Sequence, residues 1–242
     1  MTAPVAPHPP LTTFYKDPAN REAYVRKIFD ETAPWYDWAT WFVSFGSGDW
    51  YRREALRRTG LAPGMKLLDL ASGTGPVARA AVELTENPRA IVGVDPSIGM
   101  LRSGRTASAK VQAPAESLPL RSASVDRISV GFAMRHFADL DVVFRECHRV
   151  LRPGGKLLIM EITAPESRIA RGFLGFYMGR IAPAVIRLRA NARTAEVFRY
   201  YWETTRDCVR PNVILDAIRN AGFREAERRV ELGIFSEYVG VK

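Results

Sequence analysis

From Met65 onward, short β-branched or Leu-rich runs alternate with stretches whose apolar positions recur at helical spacing. That alternation is the pattern of a parallel sheet with helices on both faces. The runs predict strands at 66–71, 90–94, 111–112, 124–132 and 156–162, with helices at 76–84, 97–105 and 140–151 between them. In the last of these helices Leu140, Val143, Phe144, Val150 and Leu151 share a face. Arg152-Pro153-Gly154-Gly155 is expected as a turn before the fifth strand. Further on, 212–221 reads as a helix stopped by Gly222, and 225–232 with 235–241 as a hairpin around Gly233. Five parallel strands closed by a hairpin make an α/β, Rossmann-like seven-stranded sheet.

The flanks complete the expected organisation. Residues 1–17, MTAPVAPHPPLTTFYKD, lack the basic start and apolar core of a secretory signal and read as a flexible, Pro-rich tail. Residues 18–242 read as one domain, with a helical N-terminal cap at 18–60 and a cofactor-binding core at 65–165. An insertion at 166–211 is expected as a lid over the acceptor, before the closing helix and hairpin at 212–242. The longest nearly apolar stretch, 173–186, is interrupted by Arg180 and Pro183 and falls short of the roughly 18 residues of a spanning helix. Cys147 and Cys208 form no CxxC pair and stand apart from any His cluster, which argues against a zinc site and suits a reducing cytoplasm. A net charge of +9 favours an anionic partner, yet no finger, RNP-like or helix-turn-helix pattern points to nucleic acid.

The candidate chemistry begins at Leu67-Leu68-Asp69-Leu70-Ala71-Ser72-Gly73-Thr74-Gly75, a Gly-rich turn between strand and helix, with Asp95 closing the next strand. Such a turn lets a ligand approach the backbone, and a strand-end carboxylate can grip both ribose hydroxyls. A dinucleotide would use the same parts, so charge must separate the two. Asp69 beside the turn repels a pyrophosphate but suits a sulfonium and an ammonium. Pro76 also removes an N–H from the phosphate-binding position. Both favour S-adenosylmethionine as cofactor. Pro96, Ser97, Met100 and Leu101 could cover ribose and adenine, and Ala115 and Glu116 could border the adenine. The plain structural alternatives are that Asp69 caps the helix and Asp95 forms a turn ahead of Pro96.

Several segments together resemble the ubiquinone and menaquinone biosynthesis C-methyltransferases. They are Ile28-Phe29-Asp30 with Ala33-Pro34-Trp35-Tyr36-Asp37, Ser44-Phe45-Gly46, the DLASGTG turn, Ala115-Glu116-Ser117-Leu118-Pro119, Met134-Arg135-His136, RVLRPGG from Arg149, and Phe198-Arg199-Tyr200. The resemblance implies the seven-stranded methyltransferase fold, cofactor contacts at Thr74, Asp95, Pro114, Ala115 and Gly131, and chemistry near Tyr36, Arg135 and His136. This chain departs from the family in having His136 for Asn, Pro114 for Asn or Asp, and Gly131 for Ser.

Methylation of a ring carbon needs an electron-rich aromatic and a group that removes a proton. His136 is the candidate base, titrating near the ordinary imidazole value; Arg135 would stabilise a phenolate and Tyr36 would position its oxygen. The bland alternatives are a polar loop residue, a surface pairing of Arg135 with Asp139 or Asp141, and a core tyrosine. Aromatics of the cap and of 173–186 suggest a hydrophobic, lipid-like acceptor. Arg171, Arg180, Arg187, Arg189 and Arg193 suggest peripheral contact with an anionic membrane. Competing readings are a phospholipid N-methyltransferase, a secondary-metabolite O- or N-methyltransferase, and a non-catalytic S-adenosylmethionine-binding protein. Nucleic-acid methylation lacks its Asn/Asp-Pro-Pro-aromatic motif, since Gly131-Phe132-Ala133-Met134 stands there.

Overall fold

The computed structural model describes residues 4–106 and 108–242. The sheet has the order β3-β2-β1-β4-β5-β7-β6. Its strands are β1 (Leu67–Leu70), β2 (Ile91–Asp95), β3 (Ala109–Gln112), β4 (Val125–Gly131), β5 (Leu151–Ile162), β6 (Glu225–Glu231) and β7 (Phe235–Val241). β1 to β5 run parallel, and β7 enters antiparallel between β5 and β6. Every residue of β1 is buried, which is why its sequence is continuously apolar apart from Asp69.

Helices α3 (Pro76–Thr85), α4 (Ile98–Ser103), α5 (Leu140–Val150) and α9 (Pro211–Asn220) flank the sheet, with α2 (Gly48–Arg58) beside α3. One core joins α5 and α9 to the sheet through Val143, Phe144, Ile214 and Ile218. A second joins α2 and α3 to the other face through Leu56, Val77 and Ala81. Strand order reverses at β1, whose neighbours are β2 and β4, so the turns after these three strands open a crevice at one edge.

A third cluster lies over that crevice. It packs α1 (Arg21–Val43) against α8 (Ala192–Arg206) through Ile28, Ala39, Val197 and Phe198. The insertion forms α6 (Arg168–Phe176), a π-helical turn (Tyr177–Ile181) and α7 (Ala182–Arg189) before α8.

Two expectations are corrected. The Arg152-Pro153-Gly154-Gly155 segment is a bulge inside β5 rather than a turn before it. Leu151 pairs with Val125 and Lys156 with Arg127, and Gly154 takes φ +76° while its N–H donates to Lys242 O at 2.8 Å. The N-terminal segment is a strap rather than a loose tail from Pro4 onward; Met1, Thr2 and Ala3 lie outside the described residues. Val5 O accepts from Leu140 N at 3.0 Å and Pro7 O from Val209 N at 2.8 Å. Leu11 and Tyr15 are buried, and Phe14 meets Tyr200 edge-on at 5.3 Å. The prolines that suggest flexibility also lack N–H groups, so an extended segment can bury apolar side chains without orphaned donors.

Candidate active site

The glycine turn forms one wall of a cavity of about 1020 Å³. Gly73 has φ +55°, and a Cβ there would meet nothing within 4 Å, so the turn presents bare backbone to open space. Asp95 Oδ2 accepts from Gly73 N and Oδ1 from Ser97 N, both at 2.8 Å. Each oxygen keeps a lone pair for a ribose hydroxyl. Burial raises Asp95 to about 6, against the pull of those two N–H groups. Ala71, Pro96 and Met100 continue this wall, and Pro114, Ala115 and Glu116 stand beyond it. A backbone cradle, a carboxylate with free lone pairs and an apolar slot together fit an adenosyl ligand.

Three of the expected cofactor residues stand behind that wall. Asp69 is wholly buried, accepting from Ala78 N at 3.0 Å and Ser129 Oγ at 3.1 Å, so it does cap α3, as the plain alternative had it. Burial pushes its pKa up to about 7. Gly75 faces Thr106, where a Cβ would come within 2.9 Å of Cγ2. Thr74 donates its hydroxyl to Asp37 of α1. Gly131 lines the cavity and also lacks room for a side chain, because a Cβ would meet Val77 Cγ2 at 2.6 Å.

Asp37 and Asp30 have a joint role that sequence reasoning missed. Asp30 Oδ1 accepts from Ser97 Oγ at 2.6 Å and Gly99 N at 2.8 Å, and Asp37 also pairs with Arg79 at 3.6 Å. Seven residues apart, about two helical turns, they share one face of α1 and tie it across the Asp95 and glycine-turn loops. The signal was available as that spacing within the IFD and APWYD elements.

The rest of the cavity is apolar and aromatic. Phe29 and Tyr36 come from α1, Phe173 and Leu174 from α6, and Phe198 and Tyr201 from α8. The hydroxyls of Tyr36 and Tyr201 hydrogen-bond to each other, and burial raises both pKa values. Arg135 lines the cavity but is 1% exposed. Its guanidinium ion-pairs with Glu161 of β5, reaches Thr204 Oγ1 at 3.3 Å and lies 5.5 Å from the Tyr201 ring centre. It pairs with neither Asp139 nor Asp141; Asp139 instead caps α5 at Asp141 N, 2.9 Å.

His136 stands on the wall between Tyr200 and Tyr201, each stacked at 5.4 Å. Both ring nitrogens are shielded from solvent and find no partner among the described residues. Burial first, then the charge of Arg135, holds its pKa well below the ordinary imidazole value. The expectation of titration near that value is therefore corrected: the ring is neutral at pH 7 and a weak base. The N-terminal strap closes this end with His8, Pro10 and Tyr15, an enclosure that composition alone concealed.

At the rim of the cavity, α6 buries none of its residues. Ile169 is 86% and Phe173 74% exposed, and Phe45, 79% exposed, stacks on Tyr177 at 5.5 Å. Arg168, Arg171, Arg180, Arg187 and Arg189 are exposed around them, whereas Arg193 is held by Glu31 and Glu196 and leaves that basic set. No helix among the described residues is long and apolar enough to cross a membrane.

Comparison with known proteins bears on both halves. The model of the ubiE/COQ5 methyltransferase family matches residues 18–242. The ubiquinone/menaquinone biosynthesis C-methyltransferase UbiE of Geobacter sulfurreducens is 31% identical over 228 residues, covering 90% of this chain and 88% of its own. Its counterpart in Shewanella sp. (strain W3-18-1) is 31% identical over 212 residues, 84% of each chain. Among solved structures, a SAM-dependent methyltransferase from Thermotoga maritima, a possible histamine N-methyltransferase, superposes with TM-score 0.60 at 18% identity, over 89% of this chain and 99% of that one. Phosphoethanolamine N-methyltransferase 2 of Haemonchus contortus, in complex with S-adenosyl-L-methionine, gives TM-score 0.60 at 18% identity, over 85% of this chain and 56% of that one.

Proposed function

The chain belongs to the ubiE/COQ5 methyltransferase family and is an S-adenosylmethionine-dependent methyltransferase, and from that premise we propose that it methylates a ring carbon of a prenylated quinol or closely related hydrophobic aromatic. One observation carries this reading: the adenosyl cradle and the aromatic chamber are a single cavity. At about 1020 Å³ it lies at the upper end of the roughly 300–1,000 Å³ of ordinary ligand sites, and its aromatic part extends beyond the adenosyl cradle.

The bound cofactor supplies an electrophilic methyl on a sulfonium. Asp95 and the backbone of the glycine turn would hold its adenosyl part. Arg135 favours an ionised acceptor oxygen, and the Tyr36–Tyr201 pair fixes that oxygen's position. Transfer of that methyl to the neighbouring ring carbon, with the methyl–sulfur bond breaking and S-adenosylhomocysteine leaving, would make the carbon saturated. The ring would then lose a proton to neutral His136, whose shielded nitrogens a turn of the imidazole must bring to the chamber, and regain aromaticity. A base weakened by burial suffices for this step because rearomatisation makes the proton strongly acidic. Exposed Ile169, Phe173 and Phe45 among the arginines of α6 and α7 suit docking on an anionic bilayer, with Phe173 at once on the rim and in the chamber.

The test is incubation with methyl-labelled S-adenosylmethionine and, separately, demethylated prenylated quinols, short-chain quinols and phospholipid amines, with products located by mass spectrometry. Label on a quinol ring carbon, increasing with prenyl length, is the expected result. Label on an amine nitrogen or a phenol oxygen overturns the carbon assignment.

A further inference from the structure

Among the described residues, Arg52 of α2 is the one cavity cation that the fold and the proposed chemistry leave unexplained. Four arginines among the described residues border the cavity: Arg21, Arg26, Arg52 and Arg135. Arg21 is engaged at the strap end with His8 Nε2 at 3.3 Å and Arg135 O at 3.1 Å. Arg26 is exposed, and Arg135 is held by Glu161 and already has its place in the proposed chemistry.

The Arg52 side chain is only 12% exposed, with its guanidinium 5.5 Å from the Phe132 ring centre. Its carboxylate partner, Asp49 at 3.1 Å, is 77% exposed, so solvent screens the pair and leaves most of the charge uncompensated. Shielded Nε finds no partner among the described residues. A buried cation in that condition is costly unless a ligand brings the counter-charge.

Its position selects the ligand. The Arg52 guanidinium lies over the ring of Phe132, the residue directly after β4, while Asp95 ends β2, and β1 with its glycine turn stands between those two strands. Arg52 therefore stands on the glycine-turn side of the cavity, away from the ribose acid. A cofactor with its ribose on Asp95 and its adenine near 114–116 leaves its amino-acid end for that side. That end carries an ammonium and a carboxylate; the carboxylate sheds water on entry and needs a fixed donor fork.

We propose that Arg52 is the carboxylate clamp of the cofactor, its guanidinium pairing with the α-carboxylate of the methionyl group. The inference rests on the S-adenosylmethionine assignment but not on the identity of the acceptor. A clamp on the tail of the ligand also limits how far the sulfonium can swing from the Tyr36 side of the chamber. Arg52 is thus a cofactor-binding residue supplied from outside the Rossmann core.

The test compares two probes that differ only in this group, S-adenosylmethionine and decarboxylated S-adenosylmethionine, by titration calorimetry on wild type, Arg52→Met and Arg52→Lys. Wild type is expected to bind the carboxylated probe about 10- to 100-fold more tightly, the range of a charge-assisted hydrogen bond. In Arg52→Met that preference collapses to within about threefold, while affinity for the decarboxylated probe, which also reports an intact fold, stays near wild type. Arg52→Lys falls between, because it keeps the charge but not the fork. Equal weakening of both probes by Arg52→Met overturns the proposal. So does a wild type with no preference, a result that needs no variant to fold. Unchanged cofactor binding with a raised acceptor KM moves Arg52 to the acceptor and equally overturns it.

Discussion

Removing Arg135 should destabilise the protein by an amount that depends on pH. Its guanidinium and the Glu161 carboxylate are 1% and 4% exposed, and Glu161 Oε1 already lacks a partner among the described residues. Arg135→Met leaves that carboxylate buried and unpaired, a loss of about 3–5 kcal/mol. At roughly 2–4 °C per kcal/mol for a chain of this size, the midpoint should fall by about 6–20 °C. Burial already raises the Glu161 pKa and Arg135 opposes it, so the variant leaves burial to raise it further. A carboxylate raised above its unfolded value is harmless at low pH and destabilises increasingly as pH climbs towards the folded value. The loss should thus be smaller at pH 5 than at pH 8. Glu161→Gln in the Arg135→Met background removes the stranded charge and should recover most of the loss at pH 8. The assay is a double-mutant cycle from denaturant melts at both pH values, with activity recorded only where each variant is folded. Additive single-variant losses, or a loss independent of pH, would refute the reasoning and return Arg135 to a surface role.

Cofactor affinity should strengthen between pH 5 and 8, because Asp95 and Asp69, raised to about 6 and about 7, must ionise to favour a cation, and the same ionisation lowers the stability of the ligand-free fold. Calorimetry showing constant affinity across that range would contradict this. The single-turnover rate should show no imidazole titration between pH 6 and 8, since His136 is already neutral there, and His136→Ala should slow it by at least about 100-fold with cofactor binding unchanged. A smaller loss would remove His136 as the proton acceptor. Deleting residues 1–17 should lower the melting midpoint, because Leu11 and Tyr15 each contribute about 1.5–3 kcal/mol of burial; a midpoint equal to the full chain would restore the loose-tail reading.

The sequence by itself determined the sheet and the glycine turn that walls one side of its crevice. Strands and helices of the core announce themselves through local periodicity, and the glycine turn, Asp95 and Gly131 each close a strand at the crevice, where β1 standing between β2 and β4 puts the turn in the middle. Only the tertiary structure decided which chemically able side chains face the ligand. Asp69 and Thr74 belong to the cofactor motif yet serve α3 and α1, because a short turn can aim few side chains at one ligand and spends the others on holding itself in place. Arg135 meets Glu161, distant in sequence, only through the placement of β5, and that contact turns an apparent surface arginine into a buried one. His136 looks like an ordinary imidazole until Tyr200, Tyr201 and Arg135 surround it. The N-terminal prolines read as a tail because nothing local binds them; their partners, Leu140 and Val209, lie far along the chain. Periodicity and turn chemistry are properties of neighbours in sequence, whereas burial, pairing and proton affinity are properties of neighbours in space.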